Sequence, residues 1–207
     1  MDEQRENLQP EQNEAAAQDA KKMERGWESL AFLHDMVYLL AIVTILFTFF
    51  FRLVTVDGSS MYPTLVDKDY LVLESNFLYR NVKQGDIVVL KVDYFDKPIV
   101  KRVIATAGQT VDIDFNLGQV YVDGELLDED YINDYTYREE GTVFPLTVPE
   151  GEVFLMGDNR NHSNDSRDSS LGTVDTRLLI GKAVFLVFPG RDYLTEQREF
   201  GRIGLLQ

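Results

Sequence analysis

TVDIDFNLGQVYVDGELL, residues Thr110 to Leu127, decides the fold class. Val111, Ile113 and Phe115 alternate with polar residues, and Val120 and Val122 do the same after a short break. Strict alternation at a period of two puts the apolar side chains on one face of an extended chain. Asn116-Leu117-Gly118 and Asp123-Gly124 separate the runs with residues that tolerate positive φ, so the stretch predicts paired strands over Thr110 to Phe115 and Gln119 to Val122. Short runs rich in Val, Ile, Leu and Tyr recur on both sides: Leu53 to Val56, Tyr70 to Glu74, Asp86 to Val92, Ile99 to Thr106, Glu152 to Met156 and Lys182 to Phe188. Gly, Asp and Asn punctuate them, and the expected fold of residues 53–207 is mainly β, as one catalytic-sized domain.

Ahead of that domain the pattern changes. Met36 to Phe51 (MVYLLAIVTILFTFFF) carries no charge, and Leu53, Val54 and Val56 extend the apolar run past Arg52. A helix needs about 20 apolar residues to cross a bilayer, and Arg52 can snorkel its guanidinium to the headgroups, so residues 31–52 are expected to form a single transmembrane anchor. The alternative is a buried core helix, but a helix covering a small soluble domain would show a polar stripe, which this segment lacks. A cleaved leader would be followed by a small-x-small pattern, but only Arg52-Leu53-Val54-Thr55-Val56 follows. Lys21, Lys22 and Arg25 precede the span while Asp57, Asp67 and Asp69 follow it, which favours a cytoplasmic N-terminus and an extracytoplasmic β domain. Residues 1–30 are read as an acidic cytoplasmic tail, disordered at least to Ala20, since their Glu, Gln, Asn and Ala cannot bury enough apolar area to fold.

Composition excludes several chemistries. With 35 Asp and Glu against 20 Lys and Arg, the formal net charge is -15, so nucleic acid is not an expected partner. There is no cysteine, hence no disulfide, thiolate nucleophile or cysteine zinc site, and only two histidines, so no metal is expected. His34 lies at the anchor and His162 in a polar loop.

A serine nucleophile therefore has to find another base. Val56-Asp57-Gly58-Ser59-Ser60-Met61-Tyr62-Pro63 offers a hydroxyl on a sharp turn, with Gly58 permitting the turn and Pro63 fixing the exit; the same residues also suit an ordinary loop. Lys101 sits in a run where alternation places it with Ile99 and Val103 on one face. Desolvation there would lower its pKa by as much as 3 to 5 units and make it a base, whereas a solvated position would leave it an ordinary surface lysine. Met156 to Arg167 (MGDNRNHSNDSR) is a polar loop after a strand, either functional or a connector held by local side-chain bonds.

Taken in order, Ser60-Met61-Tyr62-Pro63-Thr64-Leu65, Gly85-Asp86-Ile87-Val88-Val89, Lys101-Arg102-Val103-Ile104 and Gly157-Asp158-Asn159-Arg160 with Ser163, Asp165, Ser166 and Arg167 resemble the sequence boxes of bacterial type I signal peptidases, in their Gram-positive branch. The resemblance runs from the anchor to Pro189 and implies a β-sheet or barrel catalytic domain behind one transmembrane helix. It implies a Ser-Lys serine endopeptidase that removes signal peptides from secretory precursors without a cofactor, with Ser60 as nucleophile and Lys101 as base. It further implies that the Ser60 N–H faces the oxyanion, that Ser163 orients the Lys101 amine, and that Asp165 pairs with Arg167 or Arg102. Many relatives have serine where this chain has Gly58, the position of a second oxyanion donor. Ala105 to Gln109 also departs from the usual glycine-rich turn. The precursor is expected to add as a strand along Leu53, Val54, Thr55, Val56 and Asp57. A cytosolic Ser-Lys self-cleaving regulator lacks a bilayer-length segment, and an anchored peptide-binding β domain would leave Ser60 and Lys101 without a role.

Overall fold

The computed structural model describes residues 8–206. Helix α1 (Leu8–Phe49) contains the segment Leu30–Phe49, 20 residues of mean hydropathy 2.2, long and apolar enough to cross a membrane. The helix extends back over the Glu- and Gln-rich stretch read as disordered, where Ala15-Ala16-Ala17 and the neighbouring Gln, Glu and Lys have high intrinsic helix propensity and need no buried face to adopt it. The expectation for residues 1–7 lies outside the described residues.

From Phe49 onward the chain forms one compact β unit. Its larger sheet contains β1 (Phe51–Thr55), β2 (Tyr70–Ser75), β3 (Ile87–Leu90), β4 (Ile99–Thr106), β9 (Glu152–Met156), β10 (Val174–Asp175), β11 (Leu179–Phe188) and β12 (Gly204–Leu205). The strand order is β1-β2-β11-β3-β4-β9-β10, with β12 on β11 and every pair antiparallel. This is an open sheet with β1 at one edge. A smaller sheet, β7-β6-β5-β8, is built from β5 (Thr110–Asp114), β6 (Gln119–Val122), β7 (Glu125–Leu126) and β8 (Leu146–Thr147), all inserted between β4 and β9.

Three apolar clusters hold the unit together. Ile104 and Ala105 of β4 and Phe154 and Met156 of β9 pack with Val111, Ile113, Val120 and Val122 of the hairpin, which fixes the insertion against the main sheet. Val56, Met61 and Leu65 pack with Leu71, Leu73, Ile87 and Leu186, so the turn that carries Ser60 is pinned from both sides. Val88, Leu90, Val103 and Leu155 form the third cluster. Burying a side chain of this size stabilises by roughly 1.5 to 3 kcal/mol, so the loops anchored at Met61 and Leu65 are held by more than their hydrogen bonds.

Observed strands match expectation over Ile99–Thr106, Gln119–Val122 and Glu152–Met156. Elsewhere the ends move. β1 begins at Phe51, so Phe51 and Arg52 leave the helix and pair with Glu74 and Leu73 of β2. β11 begins at Leu179 rather than Lys182 because its first residues pair with β3.

Candidate active site

Lys101 stands in the middle of β4, between β3 and β9, and pairs across from Val88. Ile99 and Val103, two residues to either side, pack with Val88 in one buried cluster, so the apolar face expected for Lys101 is present. The lysine is only 3% exposed. Burial disfavours its charged form most strongly and Arg167 adds to the effect; Asp165, Asp158 and Glu140 oppose it, and the amine is lowered to about 8. Roughly one lysine in ten is then neutral at pH 7.

Its Nζ lies 2.7 Å from Ser60 Oγ, across 41 residues of sequence. Ser60 follows Gly58, whose φ of +98° lets the chain reverse after β1, a conformation open to glycine at no steric cost. Tyr62 N–H donates to the Ser59 carbonyl and Leu65 N–H to that of Met61, continuing the turn. The loop after β9 grips this turn from behind: Asn159 N–H donates to the Ser60 carbonyl at 3.0 Å and Asn159 Nδ2 to the Ser59 carbonyl at 3.1 Å. With its carbonyl held, Ser60 keeps a main-chain N–H that makes no hydrogen bond among the described residues. Such a donor beside a nucleophile can receive an oxyanion.

Two buried arginine–carboxylate pairs frame the contact between Ser60 and Lys101. Arg167 Nε and Nη2 donate to Asp165 at 2.8 and 2.9 Å, and Gly157 N–H donates to the same carboxylate at 2.9 Å. Burial alone would raise the Asp165 carboxyl, but its bonds to Arg167 outweigh that and hold it below the usual range. Arg102 is committed elsewhere: it donates to Asp158 at 2.9 and 2.8 Å and lies 3.9 Å from the Tyr131 ring centroid. Of the two expected partners for Asp165 the structure selects Arg167. Thr64 Oγ1 also donates to Asp158, tying the segment after the nucleophile to the same pair.

Two expected supporting residues are placed differently. Ser163 Oγ is buried and makes no hydrogen bond among the described residues, to Lys101 or any other group. It lies against Gly157, where an added Cβ would collide with both Ser163 Oγ and the Ser60 carbonyl oxygen. Gly58 has no side-chain donor, and its N–H is taken by Asp67 Oδ1 at 2.8 Å, so its part is to shape the turn.

Of the expected substrate strand, Val54, Thr55, Val56 and Asp57 line a groove of about 370 Å³ that reaches Ser60 and is closed by Pro98, Ile99 and Val100. Leu53 is exposed and outside it. Asp57 accepts bonds from Lys68 at 2.9 Å and Lys97 at 2.8 Å. Sequence reasoning missed Asn159 as the clamp, Asp158 as the partner of Arg102, and Glu140, a buried carboxylate 3.1 Å from Arg138 Nε and pushed up by burial. The Gly157-Asp158-Asn159 run was the only signal for the first two.

The β unit brings a buried lysine amine onto a serine hydroxyl, and the known proteins this chain is similar to are peptidases. The family model for signal peptidase, peptidase S26, matches residues 29–188, and the chain belongs to that family. A signal peptidase I of Bacillus amyloliquefaciens is 32% identical over 76% of this chain and 84% of its own length. A probable signal peptidase I-1 of Synechocystis sp. is 40% identical over 65% and 69%, and the signal peptidase I T of Bacillus subtilis 35% identical over 68% and 76%. A crystal structure of a signal peptidase I from Enterococcus faecalis aligns with 50% of this chain and 97% of its own at 29% identity and a TM-score of 0.42.

Proposed function

We propose that the protein is a membrane-bound endopeptidase that removes signal peptides from secretory precursors by a Ser60–Lys101 dyad. The observation that carries this reading is the 2.7 Å contact between a buried, partly neutral amine and the hydroxyl. Neutral Lys101 takes the proton as Ser60 Oγ attacks the scissile carbonyl; the oxyanion that forms is received by the Ser60 N–H. The ammonium then returns its proton to the departing amine, leaving an acyl-Ser60 ester. Water, deprotonated by the same lysine, opens the ester and restores the hydroxyl. No cofactor is needed for these steps.

The precursor pairs with the free edge of β1 and sends small side chains into the groove lined by Val54, Val56 and Ile99. The apolar segment Leu30–Phe49 spans the bilayer with the N-terminus cytoplasmic and the β unit outside. Confining enzyme and membrane-inserted precursor to one surface raises their effective concentration.

The test is incubation of the detergent-solubilised full chain, Ser60→Ala and Lys101→Ala with a model secretory precursor, with the products weighed by mass spectrometry. Wild type should cut once, after the signal segment, and neither variant should cut. Cleavage by Ser60→Ala at the wild-type rate would dispose of the reading.

A further inference from the structure

On the other flank of the Ser60 turn lies a second cavity of about 460 Å³ that shares no lining residue with the β1 groove. Gly58 and Ser59 form one side, and Tyr62, Tyr193, His162 and Arg191 much of the rest. The two tyrosine rings meet edge to face with centroids 4.9 Å apart, giving the cavity a shaped aromatic wall. Asn159, which holds the Ser59 and Ser60 carbonyls, also lines it, so the cavity abuts the turn that carries Ser60. A chain whose acyl side lies along β1 leaves Ser60 in this direction.

Charge gives the cavity a preference. Arg191 is exposed and makes no hydrogen bond or ion pair among the described residues, in a chain with a net charge of -15. Two of the acids nearby are engaged: Asp67 accepts from Gly58 N–H and lies 3.4 Å from Lys68 Nζ, and Asp192 accepts from the Leu194 and Thr195 N–H groups; Glu199 lies on the far side of Tyr62, outside the cavity lining. The next cations along are spent: Arg198 donates to the Pro189 carbonyl and lies over the Phe188 ring, and Arg202 is bound to Asp69. An unspent guanidinium beside an aromatic wall is suited to a carboxylate side chain of an extended peptide.

We propose that this cavity receives the first residues on the mature side of the cleavage point, and that Arg191 selects an acidic side chain there. The inference rests on the peptidase reading above and adds a leaving-side determinant to it. Tyr62 and Tyr193 hold the departing segment while Arg191 reads its charge.

The experiment uses the solubilised full chain and Arg191→Glu with peptide substrates that share one signal side and carry Asp, Ser or Lys at each of the first four mature positions in turn. Wild type should cut the Asp peptide about threefold to tenfold faster in kcat/KM than the Lys peptide at one or more positions, the scale expected of an exposed charge pair. The ratio should invert in Arg191→Glu and shrink toward unity as salt is raised. Equal rates for Asp and Lys at all four positions, or a preference that Arg191→Glu leaves unchanged, would overturn the subsite and leave the peptidase reading standing. Failure of wild type to cut any peptide would overturn both.

Discussion

Gly157 passes so close to the main-chain carbonyl of Ser60 that no side chain fits between them. The nucleophile's position is therefore set by a backbone approach, and the smallest possible side chain tests it. Gly157→Ala must push Ser60 or Ser163 away. Because a displacement of about 1 Å at a reacting centre can lower a rate 100-fold, kcat should fall by about that factor or more while KM for a precursor peptide changes little.

The pH dependence of cleavage follows from the Lys101 amine. Since burial lowers it to about 8 and the neutral form is the base, the rate should climb about tenfold per pH unit below that value and level off above it. A profile that is flat between pH 6 and 9 would show that another group takes the proton.

Stability should report the same amine with the opposite sense of demand. Its folded pKa, about 8, is below the ordinary 10.5, so the unfolded chain binds the extra proton between these values and stability rises with pH across that window. Below pH 8 the full penalty applies, on the order of 3 kcal/mol at 1.36 kcal/mol per unit. Lys101→Met should therefore be inactive yet more stable than wild type at pH 7 in denaturant unfolding, by about 2 kcal/mol once the lost bond to Ser60 is subtracted. The gain should fade as pH approaches 10.5.

Asp165→Asn separates structure from tuning. The substitution leaves Arg167 buried without its counter-charge, which typically costs about 3 to 5 kcal/mol. Asp165 also favours the charged form of Lys101, so in the fraction that folds the rising limb of the pH–rate profile should move to lower pH. A purely architectural role would leave that limb in place.

Ser163 presents the reverse case. Its hydroxyl is buried without a bond, so Ser163→Ala removes nothing from the resting fold and should be neutral or stabilising by about 1 kcal/mol. If the hydroxyl turns to Lys101 during the reaction, kcat should still fall at least tenfold, and the pairing of unchanged stability with lost rate is the signature to look for.

The sequence made the strands legible where period-two alternation met clear turns, as over Gln119–Val122, and it singled out Ser60 and Lys101 where four weak fragments occurred in a family order. It could not settle what β4 does. Both Lys101 and Arg102 are buried there, because a strand covered on both faces has no solvent side for alternation to mark. The same limit hid the partner of Arg102: Asp158 lies 56 residues away, and only the pairing of β4 with β9 brings them together. Two-residue strands such as β8 and β10 carry no periodic signal, and ahead of Leu30 the helix has no apolar face to mark it, only the propensity of its Ala, Glu, Gln and Lys.

The Asn159 clamp has a use beyond catalysis. Its main-chain N–H is bonded to Ser60 itself, at the end of a closed circuit that returns through β9 and β4 to Lys101. Its hydrogen-exchange rate is thus a built-in gauge: each opening that lets solvent reach this one amide also unseats the serine, so a single resonance or peptide mass would count how often the resting molecule falls out of readiness.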